Sequence, residues 1–286
     1  MIRLLPAVCA AFLVAGCAVG SAETPAPSSG SSASRRVSGA TSPSRAVPPS
    51  EAPARRATAD AASNAPVIVI DPGHSRTIDA TDPRTGLVVS DYENEPEMRD
   101  VFAVAVLVRD RLRAAGYRVV MTKTRVDQRR NLAQRAEIAN RVHAALALSI
   151  HDQAGPDGGI GFDAGNNIVY FQRVGDYRET PSGHRVVFTN ARVAALSKRY
   201  ARIFAAQRRR AQGAPITVRG DVGYDLGSRG LAPGDIWTVQ LLSHVPWIYN
   251  EAGGNSSGRS GLSRADKRRY AAGLVAAVER CVPLPR

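Results

Sequence analysis

Two histidines that each close an apolar run are the residues of this chain best suited to chemistry. Val67-Ile68-Val69-Ile70 runs through Asp71-Pro72-Gly73 into His74, and Ala145 to Ile150 runs into His151. Four β-branched residues in a row predict a strand buried on both faces, and Asp-Pro-Gly stops it abruptly. In an open α/β sheet ligands bind beyond the C-terminal ends of the strands, so the two imidazoles should meet at one rim. Two histidines with carboxylates nearby have the layout of an open zinc site. Glu93, Glu95 and Glu97 crowd the start of a helix. Spacing does not separate them, although Glu97, directly after Pro96, is the one fixed by the helix start. Glu251 follows Trp247-Ile248-Tyr249, another strand end, and Gly253-Gly254 lets the chain turn close to a ligand.

The elements that must position these groups alternate along the chain. Val101, Val104, Ala105, Val108, Leu112 and Ala115 recur at helical spacing, with arginines and aspartates on the outer face and Gly116 placed to end the helix. Tyr117 to Met121 resumes as a strand, and Asn131 to His143, carrying Leu132, Arg135, Ala139 and Asn140, reads as the helix feeding the strand that ends at His151. Strand, helix, strand, helix, strand predicts an α/β fold: one open, mostly parallel sheet with helices on both faces. Arg76 to Pro96 reads as a polar loop, Asp152 to Gly165 as a Gly-rich loop, Asn167 to Phe171 as a strand, and Arg173 to His184 as a polar excursion. Thr189 to Arg210 reads as a long helix whose Arg208-Arg209-Arg210 end is expected in solvent. Apolar runs at Ile236 to Leu241 and Val245 to Tyr249 follow, then a last helix after Ser263, which forms a capping-box pattern with Asp266. His143, His184 and His244 read as surface residues.

The ends and the composition narrow the class. Arg3 and the apolar run Leu4 to Ala15 suit a signal peptide and are too short to span a bilayer comfortably. Leu13-Val14-Ala15-Gly16-Cys17 resembles a bacterial lipobox, with cleavage near Ala22 as the alternative. Residues 1–17 are thus expected to be a signal with lipobox, and 18–65, rich in Ser, Ala and Pro without an aromatic residue, a disordered tether. Residues 66–286 form the catalytic domain on this reading. The chain of 286 residues carries a formal charge of +13, which favours an anionic partner. Export makes nucleic acid an unsuitable one. Beyond Cys9 in the signal and Cys17 there is only Cys281, so no intramolecular disulfide is expected.

The motifs resemble, in order, those of the zinc-dependent N-acetylmuramoyl-L-alanine amidases of the Amidase_3 type. VIVIDPGH is similar to the family's first strand and first zinc histidine, here His74. Glu97 stands nineteen residues before Gly116, as the family's metal glutamate stands before the glycine closing that helix. YRVVMTK resembles the strand that usually ends in Thr-Arg, and NLAQRAEIAN the Leu-x-x-Arg-x-x-x-Ala-Asn helix. ALSIHDQ resembles the strand delivering the second zinc histidine, here His151. SRGLAPGD, with Arg229 and Gly230, resembles the segment before the last two strands, and WIYNEAGGN the final strand, with Glu251 as general base and Asn255 beyond it. Departures are Asp152 after the second histidine, Ser75-Arg76 where the family often has Gly-Gly, and Ala252-Gly253 where a more hydrophobic pair is common; they bear on the groove more than on the chemistry.

The resemblance implies Zn2+ held by His74, Glu97 and His151, a zinc-activated water deprotonated by Glu251, and cleavage of the amide between N-acetylmuramic acid and L-alanine. Asp71, Asp152, Arg229 and Asn255 are candidates for supporting the ligands or touching substrate. The expected partners are peptidoglycan muropeptides and, through lipid on Cys17, the membrane, with the protein otherwise a monomer. An unidentified activator stays open, although no long extra amphipathic helix of the kind that plugs a site is evident. The expected location is the cell envelope, at the outer face of the cytoplasmic membrane, with a secreted or periplasmic protein as the alternative. Two rival functions use the same fold: a peptidoglycan-binding lipoprotein with little or no turnover, and a zinc peptidase acting within the stem peptide. The complete ligand set argues against the first, and the absence of His-Glu-x-x-His against the common forms of the second.

Overall fold

A computed structural model describes residues 64–76, 78–152, 167–223, 232–253 and 261–285. The expected signal peptide, Cys17, nearly all of the expected tether, Arg229 and Asn255 lie outside these residues. The elements run β1 (Val67–Pro72), α1 (Glu95–Ala114), β2 (Arg118–Met121), α2 (Leu132–Arg141), β3 (Leu146–His151), β4 (Ile168–Tyr170), β5 (Tyr177–Glu179), β6 (Arg185–Val187), α3 (Ala191–Gln212), β7 (Thr217–Arg219), α4 (Thr238–Leu241), β8 (Trp247–Glu251) and α5 (Arg264–Cys281).

Six strands form one sheet in the order β2-β1-β3-β8-β4-β7. β2, β1, β3 and β8 run parallel, β4 lies antiparallel to β8, and β7 is parallel to β4. The fold is therefore α/β with a mostly parallel sheet, as the strand-helix alternation predicts.

Period-two alternation sorts the strand residues onto two faces. Ile68, Ile70, Leu146, Leu148, Ile150 and Ile248 pack with the apolar faces of α1, α3 and α5. Val69, Ala147, Trp247 and Tyr249 face the other way, toward Ala136 and Ala139 of α2 and Val239 of α4. Both faces are covered, which is why β1 and β3 are buried along their whole length. Helix starts follow local signals: Asn131 with Gln134 and Ser263 with Asp266 both form reciprocal capping boxes, and Gly213 ends α3 in the left-handed conformation.

Three segments differ from the sequence reading. The polar stretch Arg173 to His184 contributes to a two-stranded antiparallel hairpin, β5 with β6, whose residues are largely exposed and so show no apolar alternation. The resemblance implies two strands after SRGLAPGD; among the described residues only β8 follows it, and the apolar run Ile236 to Leu241 contains the short buried helix α4. Within Arg76 to Pro96, read as a polar loop, residues 78–91 fold back on themselves through the bridges Ile78 to Asp91 and Thr81 to Val88, with Leu87 and Val89 buried.

Candidate metal centre

The parallel register fixes what meets at the rim. Pro72 pairs with Ile150, and His151 pairs with Glu251, so β1, β3 and β8 end side by side. His151 and Glu251 share the strand parity of Tyr249 and Trp247, and the His151 ring stacks on Tyr249 at 4.4 Å between centroids. His74 sits two residues past β1 in the left-handed region, φ 39°, a conformation unusual for a residue with a Cβ. Gly73 makes the turn fit: a Cβ there would lie 2.4 Å from the His151 ring.

Glu97 arrives from α1. Pro96 occupies the first turn, where its missing N–H costs nothing, and Glu97 projects from the third position. Its Oε1 lies 2.9 Å from His151 Nδ1 and its Oε2 lies 3.1 Å from His74 Nε2. Asn94 Nδ2 donates to Oε2 at 2.9 Å and the Asp152 backbone N–H to Oε1 at 3.2 Å. Glu93 and Glu95 are exposed, and Glu95 pairs with Arg99 instead. The structure thus separates the three glutamates that spacing leaves open.

One ligand atom each from His74, Glu97 and His151 lies within 4.8 Å of the other two, and all three residues are buried. Two imidazoles and a carboxylate are the donor set of an open zinc site. The fit extends to the shell behind the ligands. His74 Nδ1 meets Asp91 Oδ1 at 3.2 Å, which fixes the ring and leaves Nε2 facing Glu97. Asp91 is held by the Tyr92 N–H at 2.9 Å and by an ion pair with Arg135, itself 1 % exposed. Arg135 also lies 3.6 Å from Asp71, which accepts from Thr122 Oγ1 at 2.6 Å and Ser149 Oγ at 2.8 Å. Buried Lys123 donates to the carbonyls of Gly73 and His74 and so clamps the turn that carries the histidine.

Electrostatics follow from burial and proximity. Burial alone disfavours an imidazolium at His74, but the carboxylates of Glu97 and Asp91 more than offset this and push its pKa up. Burial holds the His151 pKa down. Burial also opposes ionisation of Glu97, yet the two histidines bring its pKa below the usual carboxylate range. Glu251 behaves in the opposite way: burial, then repulsion from Glu97, raise its pKa well above that of a free carboxyl. One rim therefore holds two carboxyls whose pKa values are pushed apart, Glu97 downward and Glu251 upward.

Over residues 68–279 the chain matches Amidase_3, N-acetylmuramoyl-L-alanine amidase. It belongs to this family. Solved amidases share the fold: Ami1 of Mycobacterium smegmatis, an N-acetylmuramyl-L-alanine amidase, is 19% identical with a TM-score of 0.50, over 76% of this chain and 96% of that one. Ami1 of Mycobacterium abscessus, in its apo form, is 18% identical with a TM-score of 0.51, over 76% and 98%. No curated protein matches in sequence. In this Amidase_3 chain the four residues expected to act, His74, Glu97, His151 and Glu251, come together. Asp71 and Asp152 stand behind them, the one through Arg135 and the other through its backbone N–H.

Sequence reasoning missed Asp91 as the partner of His74, and it misread Arg208. That residue was expected at a solvated helix end, yet it is fully buried, while Arg209 and Arg210 are exposed. Its place on the inner stripe of α3, three and four residues after Ala205 and Phe204, was a signal in the sequence that could have found it.

Proposed function

We propose that the protein is a zinc-dependent N-acetylmuramoyl-L-alanine amidase, cleaving the amide that joins the lactyl group of N-acetylmuramic acid to L-alanine in peptidoglycan. The observation that carries this reading is the convergence of His74, Glu97 and His151 within 4.8 Å, with Glu251 on the adjoining strand end in register with His151. Family membership supports the substrate.

In this reading His74, Glu97 and His151 hold the metal, and Asp91 and Gly73 set the two imidazoles. Zinc supplies Lewis acidity, lowering the pKa of water toward neutrality and polarising a carbonyl. Glu251 accepts the proton from the attacking water and returns it to the departing amine of L-alanine, a task suited by its raised pKa. Tyr92, exposed and with its ring 4.3 Å from that of His74, forms one wall beside the ligands.

Replacing Glu251 with glutamine keeps size and hydrogen bonding but removes the proton acceptor. Zinc and substrate should stay bound while turnover falls roughly 10²- to 10⁴-fold. Release of stem peptides by Glu251→Gln at the wild-type rate would remove the base from the mechanism.

An extracytoplasmic place in the cell envelope goes with this activity, and the LVAGC sequence supports lipid on Cys17 as the anchor. Among the described residues no helix is long and apolar enough to cross a membrane. Cys17→Ser should shift the protein out of the membrane fraction; unchanged fractionation and mass would rule the anchor out.

A further inference from the structure

Arg208 is a buried cation for which the mechanism above has no use. Among the described residues it has no carboxylate within ion-pair distance. Its guanidinium donates to the carbonyls of Ile168 at 3.0 Å and Glu251 at 2.7 Å, to Asn250 Oδ1 at 3.3 Å and to Asn167 Oδ1. It also lies over the ring of Tyr270, 4.7 Å from the centroid. Taking a guanidinium out of water without an acid to receive it is costly, so the position asks for a reason.

The partners supply one. Ile168 and Glu251 face each other across the antiparallel seam between β4 and β8, where the sheet changes direction. Every acceptor of Arg208 belongs to the two strand ends at that seam. The Tyr270 hydroxyl reaches the carbonyls of Asn250 at 3.2 Å and His151 at 3.3 Å, tying β3 to β8 at the same height. Gly273, inside α5, permits the approach: a Cβ there would lie 2.8 Å from Arg208 Cα and 3.3 Å from the Ala211 side chain. Helices α3 and α5 thus close on each other where the guanidinium must sit on the tyrosine ring.

Strand parity separates this brace from the ligand support. Asn250 points to the α3 and α5 side of the sheet, whereas Asp71 and Ser149 point to the α2 side, where Arg135 and Asp91 hold His74. Two buried arginines, one on each face, therefore serve different parts of one site.

We propose that Arg208 is the positioning residue of Glu251, fixing the C-terminal end of β8 from behind so that the carboxylate stands at its working place beside the metal ligands. The proposal rests on Glu251 being the base. A displacement of about 1 Å at a reacting group costs on the order of 10²-fold in rate.

The test uses the full chain with Arg208→Met, Arg208→Lys and Tyr270→Phe. With a defined muropeptide, Arg208→Met should keep its zinc and its KM and lose about 10²-fold in kcat. Arg208→Lys, able to reach some of the same carbonyls, should recover part of that loss. Amide exchange should quicken in the peptide covering Asn250 to Gly253 and stay unchanged in β1. A kcat within twofold of wild type, unaltered exchange at Asn250 to Gly253, or zinc, KM and kcat falling together would each overturn the assignment. If Arg208→Met does not fold, Tyr270→Phe carries the test, with a several-fold loss in kcat and the same exchange pattern expected. A wild type that releases no stem peptides defeats the amidase reading, while the exchange result still decides whether Arg208 holds the strand end.

Discussion

Replacing Asp91 with asparagine tests whether the shell behind His74 tunes the metal site. Asp91 accepts from His74 Nδ1 at 3.2 Å and pairs with Arg135, which is 1 % exposed and has, among the described residues, only Asp71, at 3.6 Å, as a second acid. Asparagine keeps one acceptor for the imidazole, but its amide NH2 or a neutral oxygen then faces the guanidinium. Breaking a buried ion pair from one side costs about 3 to 5 kcal/mol, and the remaining Asp71 puts this case near the lower end, about 3 kcal/mol. For a domain of this size that is roughly 6 to 12 °C in Tm. Loss of an orienting carboxylate typically weakens metal binding by about 10- to 100-fold. Competition with a chromophoric chelator gives the zinc affinity and calorimetry of the metal-free chains the stability. The Arg135→Met change should cost less in the Asp91→Asn background than in the wild type, because the two residues share one interaction. A zinc affinity within twofold of wild type, together with an unchanged Tm, would refute the reasoning.

Three further outcomes follow from particular contacts. Gly73→Ala drives a methyl into the His151 ring and should cost about 1 to 3 kcal/mol of stability along with much of the bound zinc; full zinc occupancy at wild-type stability would contradict the close approach. Burial pushes the Cys281 thiol up to about 12, so in a chain of residues 66–286, where it is the sole cysteine, an aromatic disulfide should react at pH 8 only after unfolding. Prompt reaction of the native form would count against the packing of α5. Burial, against the pull of Arg173, raises the Asp176 carboxyl to about 6, so the native state holds a proton that the unfolded chain loses near pH 3.8. That stabilisation is complete below about pH 4 and lost as pH rises through about 6; Asp176→Asn should flatten the decline, and parallel pH profiles would contradict it.

What was legible in the sequence was local. The β-branched runs, the Asp-Pro-Gly stop before His74 and the capping box at Ser263 each act within a few residues, and the strands and helices they mark are where they were expected. His74, His151 and Glu251 could be placed on one rim because each stands at or within a few residues of the end of an apolar run. Glu97 needed the resemblance, since Glu93 and Glu95 share its composition and only the packing of α1 against the rim buries one of the three. Asp91 and Arg208 were hidden for a different reason. A charged residue is buried only when partners distant in sequence compensate it, and those partners, Arg135 for the one and Asn167, Asn250 and Tyr270 for the other, are set by tertiary structure. The β5–β6 hairpin left no signal because neither of its faces is well buried.

The central claim is that this rim hydrolyses the bond between the glycan and L-alanine. Its most direct test is mass analysis of the products released from purified peptidoglycan by the zinc-loaded protein, alongside the same protein stripped by chelator. Free stem peptides beginning with L-alanine and intact glycan strands are expected, lost on chelation and restored by zinc. Peptides cut within the stem, or zinc-loaded protein that binds peptidoglycan and releases nothing, would contradict it.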